Sequence, residues 1–153
     1  MKPIIIYYSR SGNTEKLANR VKESLNCETI KVIPEEAYGN YIQSCLRAAK
    51  EKATKVAPAF VTEIPDLAEY DTILLGYPVW VQDMPAHLQE FMKMCNVEGK
   101  TVVPFVTYAA TGYNWTNKTV ERVCKGADVK LPFNWGMFKK DDYDKWIGNI
   151  KAL

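Results

Sequence analysis

The chain has 153 residues, of which 47% are hydrophobic and 25% charged, and its 20 basic and 18 acidic residues leave a net charge of +2. This size predicts a single domain over residues 1–153 with a full hydrophobic core. The near balance of charge gives no reason to expect a nucleic-acid-binding surface. Apolar runs far shorter than a membrane span, and the lack of a signal-peptide pattern after Met1, predict a cytoplasmic protein without membrane partners.

Four cysteines are spread along the chain without the close spacing of a zinc or iron–sulfur site, and His87 is the only histidine, so no metal site is predicted. The cysteines are interpreted as small hydrophobic core residues, because the sequence names no base that could activate a thiol. His87 lies one turn into a predicted helix, where a histidine is usually solvated or capping. No catalytic side chain is assigned.

Apolar runs alternate with amphipathic stretches along the whole chain. Strands are predicted at residues 4–8, 28–33, 72–76, 102–107 and, with the weakest pattern, 128–131. Helices are predicted at residues 13–25, 41–56, 85–94, 115–124 and from 141 onwards, and all but the short helix at 115–124 have apolar residues on one face. In the second helix this face contains Ile42, Cys45, Leu46, Ala49, Ala53 and Val56.

Five strand–helix units in this length predict an α/β fold with an open, five-stranded parallel sheet and helices on both faces. In such sheets a ligand binds beyond the carboxyl ends of the strands, at the point where the strand order reverses. The loops most relevant to function are therefore residues 9–14, 77–84 and 107–114.

The first loop joins a strand to a helix and has the sequence Ser9-Arg10-Ser11-Gly12-Asn13-Thr14. It ends at a helix N-terminus, where unpaired N–H groups and the helix dipole favour an anion. Gly12 would let the backbone come close to a ligand. A helix cap needs only one hydroxyl, whereas this loop has three, so phosphate binding is the favoured interpretation. No GxGxxG or GxxxxGK[ST] pattern offers a dinucleotide or nucleoside triphosphate site instead.

Residues 5–21, with the sequence IIYYSRSGNTEKLANRV, resemble the flavodoxin signature over its whole length. The resemblance implies a three-layer, flavodoxin-like fold with strand order 2-1-3-4-5 and FMN as the cofactor. It also implies that the 5′-phosphate of FMN is held by the first loop, through Ser9, Arg10, Ser11, Gly12, Asn13 and Thr14.

The second loop places Trp80 between two prolines, outside the predicted core. An indole in this position offers a flat face to an aromatic ring, although it could equally pack as a lid over nearby helix residues. A similar Gly-Tyr-Pro-x-Trp stretch borders the isoalloxazine in short bacterial flavodoxin-like proteins. The resemblance therefore implies that Pro78, Val79 and Trp80 lie against the flavin ring.

The third loop is rich in small residues, which let main-chain groups approach a ligand closely. Flavodoxins usually have a Gly- and Ser-rich loop here, and Ala109-Ala110 departs from that pattern. Either Tyr108 or Tyr113 could stack on the ring, and the sequence does not choose between them. The candidate cofactor-binding residues of this loop are Thr107, Tyr108, Ala109, Ala110, Gly112 and Tyr113.

The resemblance implies an FMN-binding protein that transfers electrons between protein redox partners, with the flavin supplying the redox chemistry. Typical flavodoxins are strongly acidic, which steers them to basic partners, whereas this chain has a net charge of +2. The few acidic residues expected near the flavin rim are Glu35, Glu36 and Asp83. A second hypothesis is therefore an NAD(P)H-dependent flavin or quinone reductase. A third is a non-redox module that binds a phosphate ligand. The oligomeric state is not predicted.

Overall fold

Parallel strands form the central layer of the molecule in the computed structural model, which describes residues 1–153. The strands are β1 (Pro3–Tyr7), β2 (Glu28–Lys31), β3 (Thr72–Pro78), β4 (Thr101–Tyr108), β5 (Asp128–Val129) and β6 (Phe133–Gly136). β1, β3 and β4 are almost continuously apolar, as expected for strands that are buried on both faces. The order β2-β1-β3-β4-β5, with every pairing parallel, confirms the predicted topology.

Helices cover both faces of the sheet. They are α1 (Asn13–Leu25), α2 (Tyr41–Thr54), α3 (Ala86–Met94), α4 (Asn117–Val123) and α5 (Tyr143–Lys151), with a short 3-10 helix at Tyr113–Trp115. α1 and α5 bury their apolar residues against one face of the sheet, and α3 and α4 bury theirs against the other. None of the helices has the length and apolar character needed to cross a membrane.

The edge of the sheet next to β4 is formed by two short strands, because β5 and β6 both pair with β4. The registers of the two pairings differ by one residue. The extra residue lies in the segment 130–132, where Leu131 has a φ of 51°, so the segment is a bulge within a single sheet position. The strand predicted at 128–131 is therefore shorter in the structure. β6 was not predicted, because Pro132 and Asn134 interrupt its apolar pattern.

The apolar face of α2 points away from the sheet. Ile42 and Leu46 are 69% and 67% exposed, and Val56, just beyond the helix, is 67% exposed. The one buried residue of the helix is Ser44. The periodicity of the sequence correctly predicted a helix and its apolar face, but that face is not part of the core.

His87 lies in the first turn of α3 and is fully buried, so the expectation of a solvated or capping side chain is wrong. Neither ring nitrogen has a hydrogen-bond partner, and the ring packs edge-on against Tyr8 with 4.3 Å between centroids. Burial lowers the pKa of His87 to about 3, and the Arg47 charge acts in the same direction. The imidazole is therefore neutral at physiological pH.

Candidate functional site

A cavity of about 760 Å³ lies at the carboxyl edge of the sheet and includes residues from all three predicted loops. This is the edge at which open parallel sheets bind ligands, and the strand order reverses here between β1 and β3. Its volume is within the range of small-molecule sites. Ten of the predicted residues line it: Arg10, Ser11, Asn13, Thr14, Pro78, Val79, Trp80, Thr107, Tyr108 and Ala109.

The first turn of α1 faces this cavity without a side-chain cap. Gly12 is the N-cap residue with φ 93°, and no side chain accepts a hydrogen bond from the following turn. A Cβ added to Gly12 would meet nothing within 4 Å, so the backbone conformation, and not the space, requires glycine here. Ser9 is buried, and its Oγ accepts a hydrogen bond of 3.1 Å from the Gly12 N–H. Ser9 therefore holds the loop in shape, and the free N–H groups of the turn are available to an anion.

Thr14 connects the first loop to the third. Its Oγ1 lies 2.7 Å from Oγ1 of Thr107, and both side chains are buried. One hydroxyl of the pair donates to the other, so one hydroxyl hydrogen remains for a further acceptor. The Thr107 carbonyl in turn accepts a hydrogen bond of 2.9 Å from the Val79 N–H. The three loops are thus joined at Thr107.

Trp80 packs against the core and also lines the cavity. The indole is 9% exposed, and its ring centroid lies 5.5 Å from that of Tyr8 and 4.8 Å from that of Tyr38. The expectation of a tryptophan outside the core is corrected, because these two tyrosines hold most of the indole. Trp80 is also the one residue shared with a second cavity of about 450 Å³.

A tight turn after Trp80 sets its position. The N–H and carbonyl of Trp80 exchange hydrogen bonds of 2.9 Å with those of Asp83. The two residues between them, Val81 and Gln82, have φ of 49° and 61°. Positive φ at both central residues is typical of a type I′ turn, which normally contains glycine or asparagine. For β-branched Val81 this conformation is strained.

The third loop contributes less to the cavity than the sequence suggested. Tyr108 lines the wall, whereas Tyr113 begins the 3-10 helix, is buried in the core and donates its N–H to Asn134 Oδ1 at 2.8 Å. Gly112 lies against the Tyr108 ring and Asn134. The predicted residues that do not line the cavity are Ser9, Gly12, Ala110, Gly112 and Tyr113.

The charges of the cavity wall all have one sign. Arg10, Lys16, Arg20 and Lys140 line it, and no carboxylate does. Glu35, Glu36 and Asp83, the acidic residues expected near the rim, do not line this cavity, and Asp83 lines the second one. A cleft lined by one sign of charge attracts ligands of the opposite sign, so the wall favours an anion.

Several wall residues had no role in the sequence analysis. The spacing of Lys16 and Arg20, four residues apart on a helix that starts at the phosphate loop, was a usable signal for them. Trp135 lies in β6 and Lys140 follows that strand. Because the place of β6 in the sheet depends on the bulge, no local sequence pattern indicated that these two residues line the cavity. Cys45 was expected in the core but is only half-buried and lines the cavity.

The other three cysteines are buried, as expected. Burial raises the pKa of the Cys95 thiol to about 12, and burial, with a further contribution from the neighbouring Cys95, raises the pKa of Cys124 to about 12. These thiols are therefore protonated at physiological pH and act as apolar side chains.

A family model described as flavodoxin matches residues 2–150 of the chain. A solved flavoprotein from Lactobacillus acidophilus NCFM, crystallised in complex with FMN, is similar over 95% of this chain and 97% of its own, with a TM-score of 0.76 and 24% identity. At this identity the likeness concerns the fold.

Two curated relatives are both named NAD(P)H dehydrogenase (quinone). The protein from Acidovorax ebreus is 29% identical over 91 residues, which are 60% of this chain and 44% of the relative. The protein from Azorhizobium caulinodans is 30% identical over 95 residues, which are 60% of this chain and 45% of the relative. The match thus spans less than half of the length of these relatives.

Proposed function

Because this chain belongs to the flavodoxin family, we propose that it binds FMN in the cavity at the carboxyl edge of the sheet and transfers electrons between redox partners. The observation that carries this proposal is the uncapped first turn of α1, which opens into a cavity with aromatic and apolar walls. The similar flavoprotein from Lactobacillus acidophilus was solved with FMN, which supports the choice of cofactor.

The phosphate of FMN fits the first loop. The free N–H groups of the first α1 turn and the spare hydroxyl hydrogen of the Thr14–Thr107 pair can donate to phosphate oxygens. Arg10 lines the cavity, and its guanidinium makes a single long hydrogen bond of 3.4 Å to the Gly39 carbonyl. Its remaining donors are available to a dianion.

The flavin ring fits the wall formed by the second and third loops. Pro78, Val79 and Trp80 would exclude water from one side of the ring, and Tyr108 offers a second aromatic surface. Trp80 is held by Tyr8 and Tyr38, so it presents a fixed wall. The bound flavin supplies the electron-transfer chemistry, and the protein sets its orientation and electrostatics.

Titration of the purified apoprotein with FMN tests this assignment, with quenching of flavin and tryptophan fluorescence as the readout. We expect saturation at one FMN per chain. Ser11→Asp should weaken binding by about 100-fold, because the added carboxylate repels the phosphate, which corresponds to about 2.7 kcal/mol. Asn149→Asp adds the same charge on an exposed residue of α5 and should leave the affinity unchanged.

The outcomes of the titration separate the hypotheses. An unchanged affinity of Ser11→Asp would refute the placement of the phosphate. Absence of FMN binding by the wild-type chain would contradict the proposed function and favour a module that binds another phosphate ligand.

A second candidate function is an NAD(P)H-dependent quinone or flavin reductase. The names of the two curated relatives favour it, and the cationic cavity wall suits a phosphate-bearing substrate. The test is anaerobic mixing of the FMN-loaded chain with NADH or NADPH in a stopped-flow instrument. Rapid bleaching of the flavin absorbance would support the enzyme, whereas a carrier requires a separate reductase and shows no bleaching.

A further inference from the structure

Two exposed apolar patches border the mouth of the cavity. The first is the α2 stripe, defined as Tyr41, Ile42, Cys45, Leu46, Ala49, Ala53 and Val56. Tyr41 and Cys45 line the cavity itself, while Ile42 and Leu46 are 69% and 67% exposed. The stripe has the spacing of a helix face that packs against another element, yet no element of this chain covers it.

After β6 the chain turns back, and Lys140 forms an antiparallel bridge with Trp135. The second patch is the tip of this hairpin, residues 137–140, called the hairpin tip. Met137 and Phe138 are 69% and 91% exposed, and Met137 also lines the cavity. The tip is fixed to the fold, because the Gly136 N–H donates to the Lys139 carbonyl at 2.8 Å and the Met137 N–H to the Tyr108 carbonyl at 3.1 Å. A phenylalanine exposed to this extent on a turn held by main-chain hydrogen bonds, next to a second apolar patch, indicates a surface for interaction.

Positive charges accompany both patches. On α2 the exposed cations Lys50 and Lys52 lie beside the stripe, and the one acidic residue of the helix, Glu51, is paired with Arg47 at 2.8 Å. At the other patch the cations are Lys139 and Lys140 of the tip, together with Lys16 and Arg20 in the nearby cavity wall.

Acidic residues also lie near this wall, and two of them, Asp141 and Asp142, directly follow the tip. Their carboxylates accept hydrogen bonds from the Asn134 N–H at 2.8 Å and from the Lys145 N–H at 3.1 Å. Glu15 is bonded to Lys31 at 2.9 Å and to the Tyr7 hydroxyl at 3.0 Å. Asp144 is 94% exposed and lies 3.9 Å from Arg20, a distance at which an exposed ion pair contributes little. The cavity wall itself has cations and no carboxylate. The face around its mouth therefore combines an apolar centre with a basic rim, in which the cations of α2, the tip and the wall outnumber the carboxylates.

We propose that this face, made of the α2 stripe and the hairpin tip, is the docking surface for an acidic protein that exchanges electrons with the flavin in the cavity. The inference rests on the proposed function. Aromatic residues at the centre and charged residues at the rim are the usual anatomy of a transient interface. A second copy of this chain is disfavoured as the occupant, because a two-fold dimer would place the basic rim against itself.

The test measures electron transfer to two c-type cytochromes of similar size, one acidic and one basic, in a stopped-flow instrument. The FMN-loaded chain is first reduced with dithionite. Each fully reduced flavin passes two electrons to two ferric haems, which become ferrous, and the flavin returns to its oxidised form with release of protons to solvent. The ferrous haem absorbance reports the rate.

We expect the acidic cytochrome to react faster than the basic one at low salt. Its rate should fall by about tenfold or more when the ionic strength is raised to a few times about 0.1 M, the concentration at which the Debye length is about 10 Å. The basic cytochrome should show the opposite salt dependence. Lys50→Glu combined with Lys139→Glu, neither of which lines the cavity, should slow the acidic cytochrome by about tenfold at low salt.

A matched control variant has the same change of net charge, but at the amino ends of the strands, away from the cavity. Lys125 follows α4 and Lys151 ends α5, and both are exposed. Lys125→Glu combined with Lys151→Glu should change the rate by less than about twofold. Phe138→Ser should slow the acidic cytochrome at every salt concentration without changing the salt dependence, because it removes an apolar contact and no charge.

Equal rates for the two cytochromes, or equal effects of the two double variants, would overturn the docking surface while leaving FMN binding intact. Isothermal calorimetry with the same cytochromes measures docking without electron transfer and therefore tests the docking surface alone. The FMN titration tests the proposed function alone, so the failure of one proposal can be told from the failure of the other. Sedimentation that shows a dimer broken by Leu46→Glu would also overturn the proposal, with a second copy as the occupant.

Discussion

The side-chain hydroxyls of Thr14 and Thr107 form a hydrogen bond of 2.7 Å between the first turn of α1 and the end of β4. The Val79 N–H donates to the carbonyl of the same Thr107. One residue of β4 therefore connects the proposed phosphate loop to the loop that carries Trp80. A change at this hydrogen bond should affect both the stability of the fold and the affinity for FMN.

Valine substitutions at this pair give the first prediction. Thr14→Val or Thr107→Val alone leaves a buried hydroxyl without its partner, which should lower the free energy of unfolding by about 1–3 kcal/mol. The double variant should cost less than the sum of the two single variants, because neither hydroxyl is then left unpaired. Urea unfolding measures the three values. Strict additivity would show that the two hydroxyls do not interact.

The left-handed backbone of Gly12 gives the second prediction. Gly12→Ala should lower the free energy of unfolding by about 1–2 kcal/mol, because φ is 93° while the added Cβ meets no atom within 4 Å. Gly148→Ala is the matched control, since Gly148 lies in α5 with equal space and no positive φ. The control should stabilise the protein by about 0.5–1 kcal/mol. Thermal and urea unfolding should therefore show a lower free energy of unfolding for Gly12→Ala than for the wild type, and a higher one for Gly148→Ala.

The buried imidazole of His87 gives a prediction on pH. The pKa of His87 is lowered from 6.5 to about 3, so the unfolded chain binds a proton below pH 6.5 that the folded chain does not. The stability that this residue contributes is present above pH 6.5 and is lost as the pH falls from 6.5 towards 3. The loss amounts to about 1.4 kcal/mol for each pH unit in this window.

His87→Leu should remove this dependence and fill the same space. At pH 7 the variant should be at least as stable as the wild type, because two unpartnered ring nitrogens are replaced by apolar atoms. At pH 5 its advantage should grow by about 2 kcal/mol. Parallel pH profiles of the unfolding free energy for the two proteins would show that His87 is accessible to protons in the folded state.

The strained turn after Trp80 gives the fourth prediction. Val81→Asn combined with Gln82→Gly supplies residues that accept positive φ, so it should raise the free energy of unfolding by about 1–2 kcal/mol. Val61→Asn is the control, because Val61 is 61% exposed and does not have a positive φ. Calorimetric melting should show a higher Tm for the turn variant only. An unchanged Tm would mean that the turn stores no strain.

Apolar continuity predicted the sheet well, because strands buried on both faces in a parallel sheet have few polar residues. The same kind of pattern was misleading for α2, since periodicity shows that a helix has an apolar face but not what covers it. Leu46 is exposed although its spacing is that of a core residue. His87 is the reverse case, a polar residue that the surrounding aromatic rings enclose without a partner.

Part of the candidate site could also be predicted. The first loop carries a local signal, a glycine and hydroxyls at a helix N-terminus, and the structure places that loop at the cavity. The sequence did not distinguish Tyr108 from Tyr113 as the ring-stacking residue, and the structure separates them, because the 3-10 helix that begins at Tyr113 places that ring in the core. Trp135 and Lys140 reach the wall through a strand pairing that depends on distant residues of β4, so no local pattern could indicate them.

The bulge between β5 and β6 also protects the open margin of the sheet against self-assembly into fibres. An unbroken outer strand would present a regular row of N–H and carbonyl groups to any neighbouring chain. Here the row is interrupted at Leu131, whose φ is 51°, and exposed Pro132 has no N–H to donate. At this margin, on the opposite side of the sheet from β2, a foreign strand therefore finds no continuous template on which to extend the sheet.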